Sequence, residues 1–351
     1  MNISELKLKY DKSDMYGVIS NMPDQIREAV KLAEDFSVNI DAGSISSILF
    51  AGMGGSAIGG DLVRSILEDE CKLPISVVRN YKLPVWAGES TLTLVSSYSG
   101  NTEETLSAYK DALKKGCKII CLTTGGKLQE LADNDDVPVL IIPAGLPPRG
   151  AIAYSSIPWL LIFASLGIIS DSSNEIAAMA SDLEKVIKDY GNYDSAQDNL
   201  PLTVARKAVG RIPLIYISTG SFSVIGKRWA NQIQENAKML AYTNELPEMN
   251  HNEIMGWHLT GQSKESVLPI FIISNNHHPR VNLRLDITSK LVENKRGEVV
   301  RINPTGDKLI LQLFSLIVLG DFISYYLSLL NHIDPGPVDI ITELKEQLGK
   351  Q

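Results

Sequence analysis

The sequence predicts an α/β protein built of two doubly wound parallel sheets, and three observations carry that prediction. Short apolar strand candidates alternate with helix candidates: Ser47-Ile-Leu-Phe-Ala51, Ile75–Val78, Leu92–Val95, Lys118–Leu122 and Val137–Ile142. Strands apolar on both faces belong to parallel sheets that helices cover on both sides. The pattern then restarts. Ile212–Ile217 runs into Ser218-Thr-Gly-Ser-Phe-Ser-Val-Ile-Gly226, where Gly220-Ser221 and Ile225-Gly226 echo Gly55-Ser56 and Ile58-Gly59. That echo points to an internal duplication.

The elements follow in order. Residues 1–40 read as an N-terminal helical arm, with apolar residues at helical spacing from Pro23 to Phe36. Residues 41–190 form the first α/β domain, in which β-type Ser47–Ala51 leads through Gly52-Met-Gly-Gly-Ser56 into a helix reaching Leu67. Leu94-Val-Ser-Ser-Tyr-Ser-Gly-Asn-Thr-Glu-Glu-Thr105 passes from a strand through small polar residues into a helix. Asn101 with Glu104, or Thr102 with Thr105, offers the N-cap, and Gly116 suits the position past its end. Pro143–Gly150 is a turn-rich break, followed by an apolar helix from Ser155 to about Ile169 and a polar helical link over 170–205. The second domain, 200–351, adds strands at Val267–Ile273 and Glu298–Ile302, a long apolar helix Lys308–Leu330 and a C-terminal helix Pro337–Leu348.

Composition excludes several classes. A length of 351 residues suits two domains of about 150 each. No uninterrupted apolar run reaches the ~18 residues of a membrane span, since Leu309–Leu319 is too short, and the N-terminus lacks a leader's layout, so no membrane partner is expected. Cys71, Cys117 and Cys121 are an odd number without metal spacing and read as free thiols of a reduced, cytoplasmic protein. The net charge of −8 argues against nucleic acid and requires any anionic ligand to meet locally placed donors.

Ligands of doubly wound sheets sit at the carboxyl ends of strands, where both glycine- and serine-rich loops fall. Ser97, Ser99 and Thr102 occupy a strand-to-helix turn whose hydroxyls and free N–H groups can converge on an anion. With no Lys or Arg of its own, the loop would bind phosphate as a neutral nest; a solvated, well-capped turn is the equal alternative from this loop alone. Gly52-x-Gly54-x-x-Ala57 also fits a dinucleotide fingerprint, but the next strand ends at Arg79 rather than an acidic residue, which would suit at best a 2′-phosphate. No cofactor is expected, and no metal: His277-His278 lacks a partner carboxylate at ligand spacing.

A strand–GGS–helix unit followed by a strand–SxSGxTxET–helix unit resembles the sugar isomerase (SIS) domain, a flavodoxin-like fold. Gln234-Glu-Asn-Ala-Lys238, Asn250-His-Asn-Glu-Ile254, Pro148-Arg149-Gly150 and the terminal Pro337…Leu344-Lys345 helix make the chain similar, over about 300 residues, to the bifunctional phosphoglucose/phosphomannose isomerases. The resemblance implies that Ser97, Ser99 and Thr102 bind the phosphate of a phosphosugar and that Gly55 and Ser56 line the sugar side. It implies Glu235 as the proton-shuttling base, with Glu245, Glu248 and Glu253 as nearby rivals, and His251 as the ring-opening residue. Arg149 would stabilise an enediolate, and Lys345, with Lys350 close by, would assist ring opening or contact substrate. In related isomerases the histidine comes from a neighbouring subunit, so a homodimer with shared sites is implied. Aldose–ketose chemistry wants these residue types: a carboxylate to move a proton between C1 and C2, a cation near the oxyanion, and an acid/base pair for the ring. The alternative is a non-catalytic phosphosugar-binding regulator, which would not require Glu235 and His251; residues 1–40 show no basic cluster for DNA. An isomerase of pentose phosphates or amino sugars fits the two-half arrangement less well.

Overall fold

The computed structural model describes residues 2–193, 199–258 and 265–350. The chain forms two compact units, Asn21–Asp182 and Met1–Ser20 with Leu183–Gln351. Helices Ile3–Tyr10 and Met15–Ser20 therefore fold with the second unit, and helix Met22–Glu34 with the first.

In the Asn21–Asp182 unit, strands β1 (Ser47–Ala51), β2 (Ile75–Val78), β3 (Thr91–Ser97), β4 (Lys118–Thr123) and β5 (Val139–Ile141) pair in the order β2-β1-β3-β4-β5, all parallel. The chain leaves β1 towards one edge and returns past it to β3, which makes the β1/β3 crevice the point where the winding reverses. β1 and β3 bury every residue, as strands covered on both faces do: Ile48–Ala51 is an unbroken apolar run, and in β3 even Thr91 and Thr93, which alternate with Leu92 and Leu94, are buried. Leu49 and Ala51 join Val95, Tyr109, Cys121 and Leu128 on one face. Phe50 points to the other and meets Trp159 and Phe163 of helix Ile152–Ser165 edge-on. Each such aromatic or aliphatic burial contributes roughly 2 kcal/mol. That helix starts and ends earlier than the expected Ser155–Ile169: Gly167, left-handed at φ 71°, terminates it.

In the other unit, β6 (Ile212–Ser218), β7 (Tyr242–Leu246), β8 (Val267–Ile272) and β9 (Val300–Ile302) pair in the order β7-β6-β8-β9, again all parallel. The first four strands of both sheets share one order, as the duplicated doubly wound fold requires. β7 has no counterpart in the sequence reading. As an edge strand it buries only Leu246, so Tyr242-Thr-Asn-Glu-Leu246 carries little apolar signal. The link region holds helix Ser173–Gly191 and the start of helix Leu200–Ala208; residues 194–198 lie outside the described ones.

Helix Leu309–Leu330 answers to the long apolar helix expected over Lys308–Leu330. At 22 residues and mean hydropathy 1.8 it is long and apolar enough to cross a membrane, although serines, Gly320 and Asp321 interrupt the run. It is the core helix of its unit: 94% of its most apolar window is buried. A Cβ on Gly320 would meet the Trp229 indole at 2.3 Å, so glycine there lets helix Ser223–Ala237 pack close.

Candidate active site

The loops after β1 and β3 stand together at the crevice between those strands. Glycine permits the approach: a Cβ on Gly52 would meet the Ser96 carbonyl at 2.7 Å. The backbone N–H of Tyr98 donates to Ser56 Oγ at 3.2 Å, joining the two loops. Ser97 is buried and its hydroxyl donates to Thr102 Oγ1 at 3.1 Å. Ser99 is exposed at the rim, where its Oγ accepts from the Asn101 N–H at 3.3 Å. The turn after β4 braces this loop. Thr124 donates to the Tyr98 carbonyl through its N–H at 3.0 Å and its hydroxyl at 2.7 Å, and the Lys127 N–H donates to Asn101 Oδ1 at 3.1 Å.

Neither expected cap forms. Thr102 stands at the N-cap position of helix Glu103–Lys114, but its hydroxyl is engaged by Ser97, and the Asn101 side chain by Ser99 and Lys127. The helix begins without a side-chain cap, which leaves its first-turn N–H groups to an external acceptor. Its other end is as expected, with Gly116 left-handed at φ 68°.

The Pro148–Gly150 turn crosses the start of helix Gly54–Ile66. A Cβ on Gly55 would meet the Pro148 carbonyl at 2.6 Å and the Arg149 nitrogen at 3.6 Å. Arg149 is 5% exposed, so it is no surface arginine. Tyr98 ties this segment down: its hydroxyl donates to the Pro143 carbonyl at 3.0 Å and accepts from the Leu146 N–H at 2.9 Å. Burial pushes the Tyr98 phenol above its ordinary value. Sequence reasoning passed over Tyr98, although an aromatic amid small polar residues in a ligand loop was a readable signal. Gly55, Ser56, Ser97, Thr102 and Arg149 thus gather in one unit.

In the other unit, Glu235 lies half-buried near the end of helix Ser223–Ala237. It lines a cleft of about 590 Å³ with Asn231, Gln234, Lys238, Val338 and Ile341. The helix cannot turn freely. Arg228 reaches both oxygens of buried Asp321 at 3.0 and 2.8 Å, Gln232 donates to Asp321 at 2.6 Å, and Asn236 to Ser324 Oγ at 2.9 Å. Those three residues recur every four along one face, and fix the direction in which Glu235 points.

The rivals have other commitments. Glu253 accepts from the Tyr216 hydroxyl and from Asn244, and burial together with Glu253 holds the Tyr216 phenol far above its ordinary value. Glu248 accepts from Asn252 at 2.9 Å, and Glu245 sits in the edge strand β7. His251 is exposed at the end of the Glu248–His251 turn, which Asn250 fixes by donating to Thr288 Oγ1 at 2.8 Å. Lys345 is exposed on helix Asp339–Leu348, one turn beyond Ile341 of the cleft. The structure thus places His251 and Lys345 on separate exposed elements of this unit.

The equivalent crevice of the second sheet, between the ends of β6 and β8, is filled. Phe222 and His277 meet there edge-on, ring centroids 4.5 Å apart, both buried. Burial pushes the His277 imidazole down to about 4, against a stabilising contact with Asn282. Arg79, where a dinucleotide's 2′-phosphate would need a cation, is paired with buried Asp61. Among the described residues no group of three or more His, Cys, Asp and Glu is arranged around a metal position.

Residues 197–348 match the family described as bacterial phospho-glucose isomerase C-terminal SIS domain. A bifunctional phosphoglucose/phosphomannose isomerase of Caldicellulosiruptor bescii is 42% identical over 96% of this chain and 99% of its own length. Another, of Thermoplasma acidophilum, is 33% identical over 94% of this chain and 96% of its own. Among solved structures, a hypothetical protein of Thermus thermophilus superposes with a TM-score of 0.77 at 14% identity, covering 99% of this chain and 92% of that one, a likeness of fold alone.

Proposed function

The chain belongs to the family of bifunctional phosphoglucose/phosphomannose isomerases, and from that premise we propose that it interconverts glucose 6-phosphate and mannose 6-phosphate with fructose 6-phosphate. Proton transfer runs through a cis-enediolate after ring opening. The observation that carries the reading is the uncapped helix start after β3, where Ser97, Ser99 and Thr102 present hydroxyls and N–H groups at the reversal point of the sheet.

In this reading the phosphate takes those donors, and Gly55 with Ser56 faces the sugar. Glu235 moves the proton between C1 and C2, because a carboxylate can accept from one carbon and return to the next. Arg149 neutralises the enediolate charge from a water-poor position, where a cation acts more strongly than in solvent. His251 opens the ring, imidazole being the side chain suited to give and take protons near neutrality. Lys345 assists. His251 acts in the site of a second copy, so the working form is a homodimer. A carboxylate shuttle needs neither metal nor cofactor. A reducing cytoplasmic setting agrees with the free Cys71, Cys117 and Cys121.

The test incubates the purified protein with EDTA and fructose 6-phosphate and assays both aldose phosphates. Both products support the full reading, and glucose 6-phosphate alone narrows the substrate range. Neither product, with the phosphosugar still bound, would return the protein to the regulator class.

A further inference from the structure

The helix that carries Glu235 ends at Lys238, whose backbone is left-handed at φ 54°. Helix ends usually give that conformation to glycine or asparagine. The lysine has a use there. Its ammonium donates to the carbonyls of Glu235 at 2.5 Å, Pro337 at 2.6 Å and Pro335 at 3.4 Å. An ammonium has three N–H donors, and three backbone carbonyls from two segments converge on it. Pro335 and Pro337 belong to the turn that starts helix Asp339–Leu348, and that helix buries none of its own residues. Its anchoring therefore depends on its root. Glu235, Lys238 and Val338–Ile341 line the same 590 Å³ cleft.

We infer that Lys238 is a positioning residue: its ammonium ties the end of the Glu235 helix to the root of the Lys345 helix and so sets the shape of the cleft that Glu235 lines. The inference rests on the reading of Glu235 as the proton shuttle. It predicts an effect on turnover more than on substrate affinity, because the phosphate-binding loops belong to other residues and misplacement by about 1 Å costs up to roughly 100-fold in rate.

The test is Lys238→Gly in the full-length protein, since glycine adopts the left-handed backbone readily, so the side chain with its ammonium is lost while the backbone turn is kept. With fructose 6-phosphate, kcat should fall at least about tenfold while KM changes less than about twofold. Amides of residues 339–348 should exchange with deuterium faster, and Lys238→Arg should recover part of both. Lys238→Asn, which also tolerates this backbone, replaces the glycine variant if that one melts below the assay temperature. Wild-type kcat overturns the inference, whether or not exchange quickens. Glu235→Gln is run alongside. If it is inactive while Lys238→Gly matches wild type in kcat and exchange, this inference alone fails; if it stays active, the Glu235 reading and the positioning role fail together, and faster exchange would leave only a structural tie.

Discussion

Ser56 Oγ accepts a hydrogen bond from the Tyr98 backbone N–H at 3.2 Å, and so fastens the glycine-rich loop after β1 to the serine-rich loop after β3. The residues are 42 apart in sequence. The contact turns two separate motifs into one crevice, and several consequences can be measured.

The hydroxyls of the β3 loop should separate by burial. Ser99→Ala removes an exposed group and should raise KM for fructose 6-phosphate severalfold with an unchanged melting temperature. Ser97→Ala also deletes the part-buried bond to Thr102, and should in addition cost about 1 kcal/mol of stability in urea titration.

Gly55→Ala places a methyl group 2.6 Å from the Pro148 carbonyl, a backbone atom that cannot swing aside. The Pro148–Gly150 turn must shift and take Arg149 with it. Turnover should fall by at least about tenfold, since oriented charge in the transition state is worth several kcal/mol. Wild-type kinetics for this variant would remove Arg149 from the account.

Stability should fall with pH through His277. Its folded-state pKa is depressed to about 4 by burial. Between the ordinary value near 6.5 and that point the unfolded chain binds a proton that the folded chain refuses. The contribution is present above about pH 6.5 and is lost as pH falls towards 4, amounting to about 3 kcal/mol. Urea midpoints from pH 7 to pH 4.5 should show the slope, and His277→Gln should flatten it.

Arg228 and Asp321 form a buried ion pair inside the second unit, in which one guanidinium nitrogen, Nη2, bridges both carboxylate oxygens. Arg228→Met or Asp321→Leu alone strands a buried charge and should cost about 3–5 kcal/mol. The double variant should cost clearly less than the sum, which denaturant titration of all three will show.

The sequence was legible wherever local pattern decides structure. β1, β2 and β6 announce themselves as apolar runs, and Gly116 marks a helix end because its left-handed backbone is a local need. It was illegible where tertiary contacts decide. β7 is polar because it lies at a sheet edge. Thr102 is no cap because Ser97, five residues back, claims its hydroxyl. Tyr98 holds Pro143 and Leu146, more than forty residues away, and no periodicity encodes that. The burial of Arg149 in a turn packed on Gly55 is likewise set by a contact between residues far apart in sequence, and no local pattern encodes it. The membrane-length helix shows the same limit: its partner Arg228 lies 93 residues from Asp321.

The most direct test of the proposed chemistry compares wild type with Glu235→Gln in deuterium oxide, following fructose 6-phosphate by NMR. Wild type should form aldose phosphate that carries solvent deuterium at C2. Glu235→Gln should bind the substrate, yet lose about 10²–10⁴-fold in both turnover and incorporation. Turnover by that variant within a fewfold of wild type would contradict the account, and would move the proton shuttle to another carboxylate.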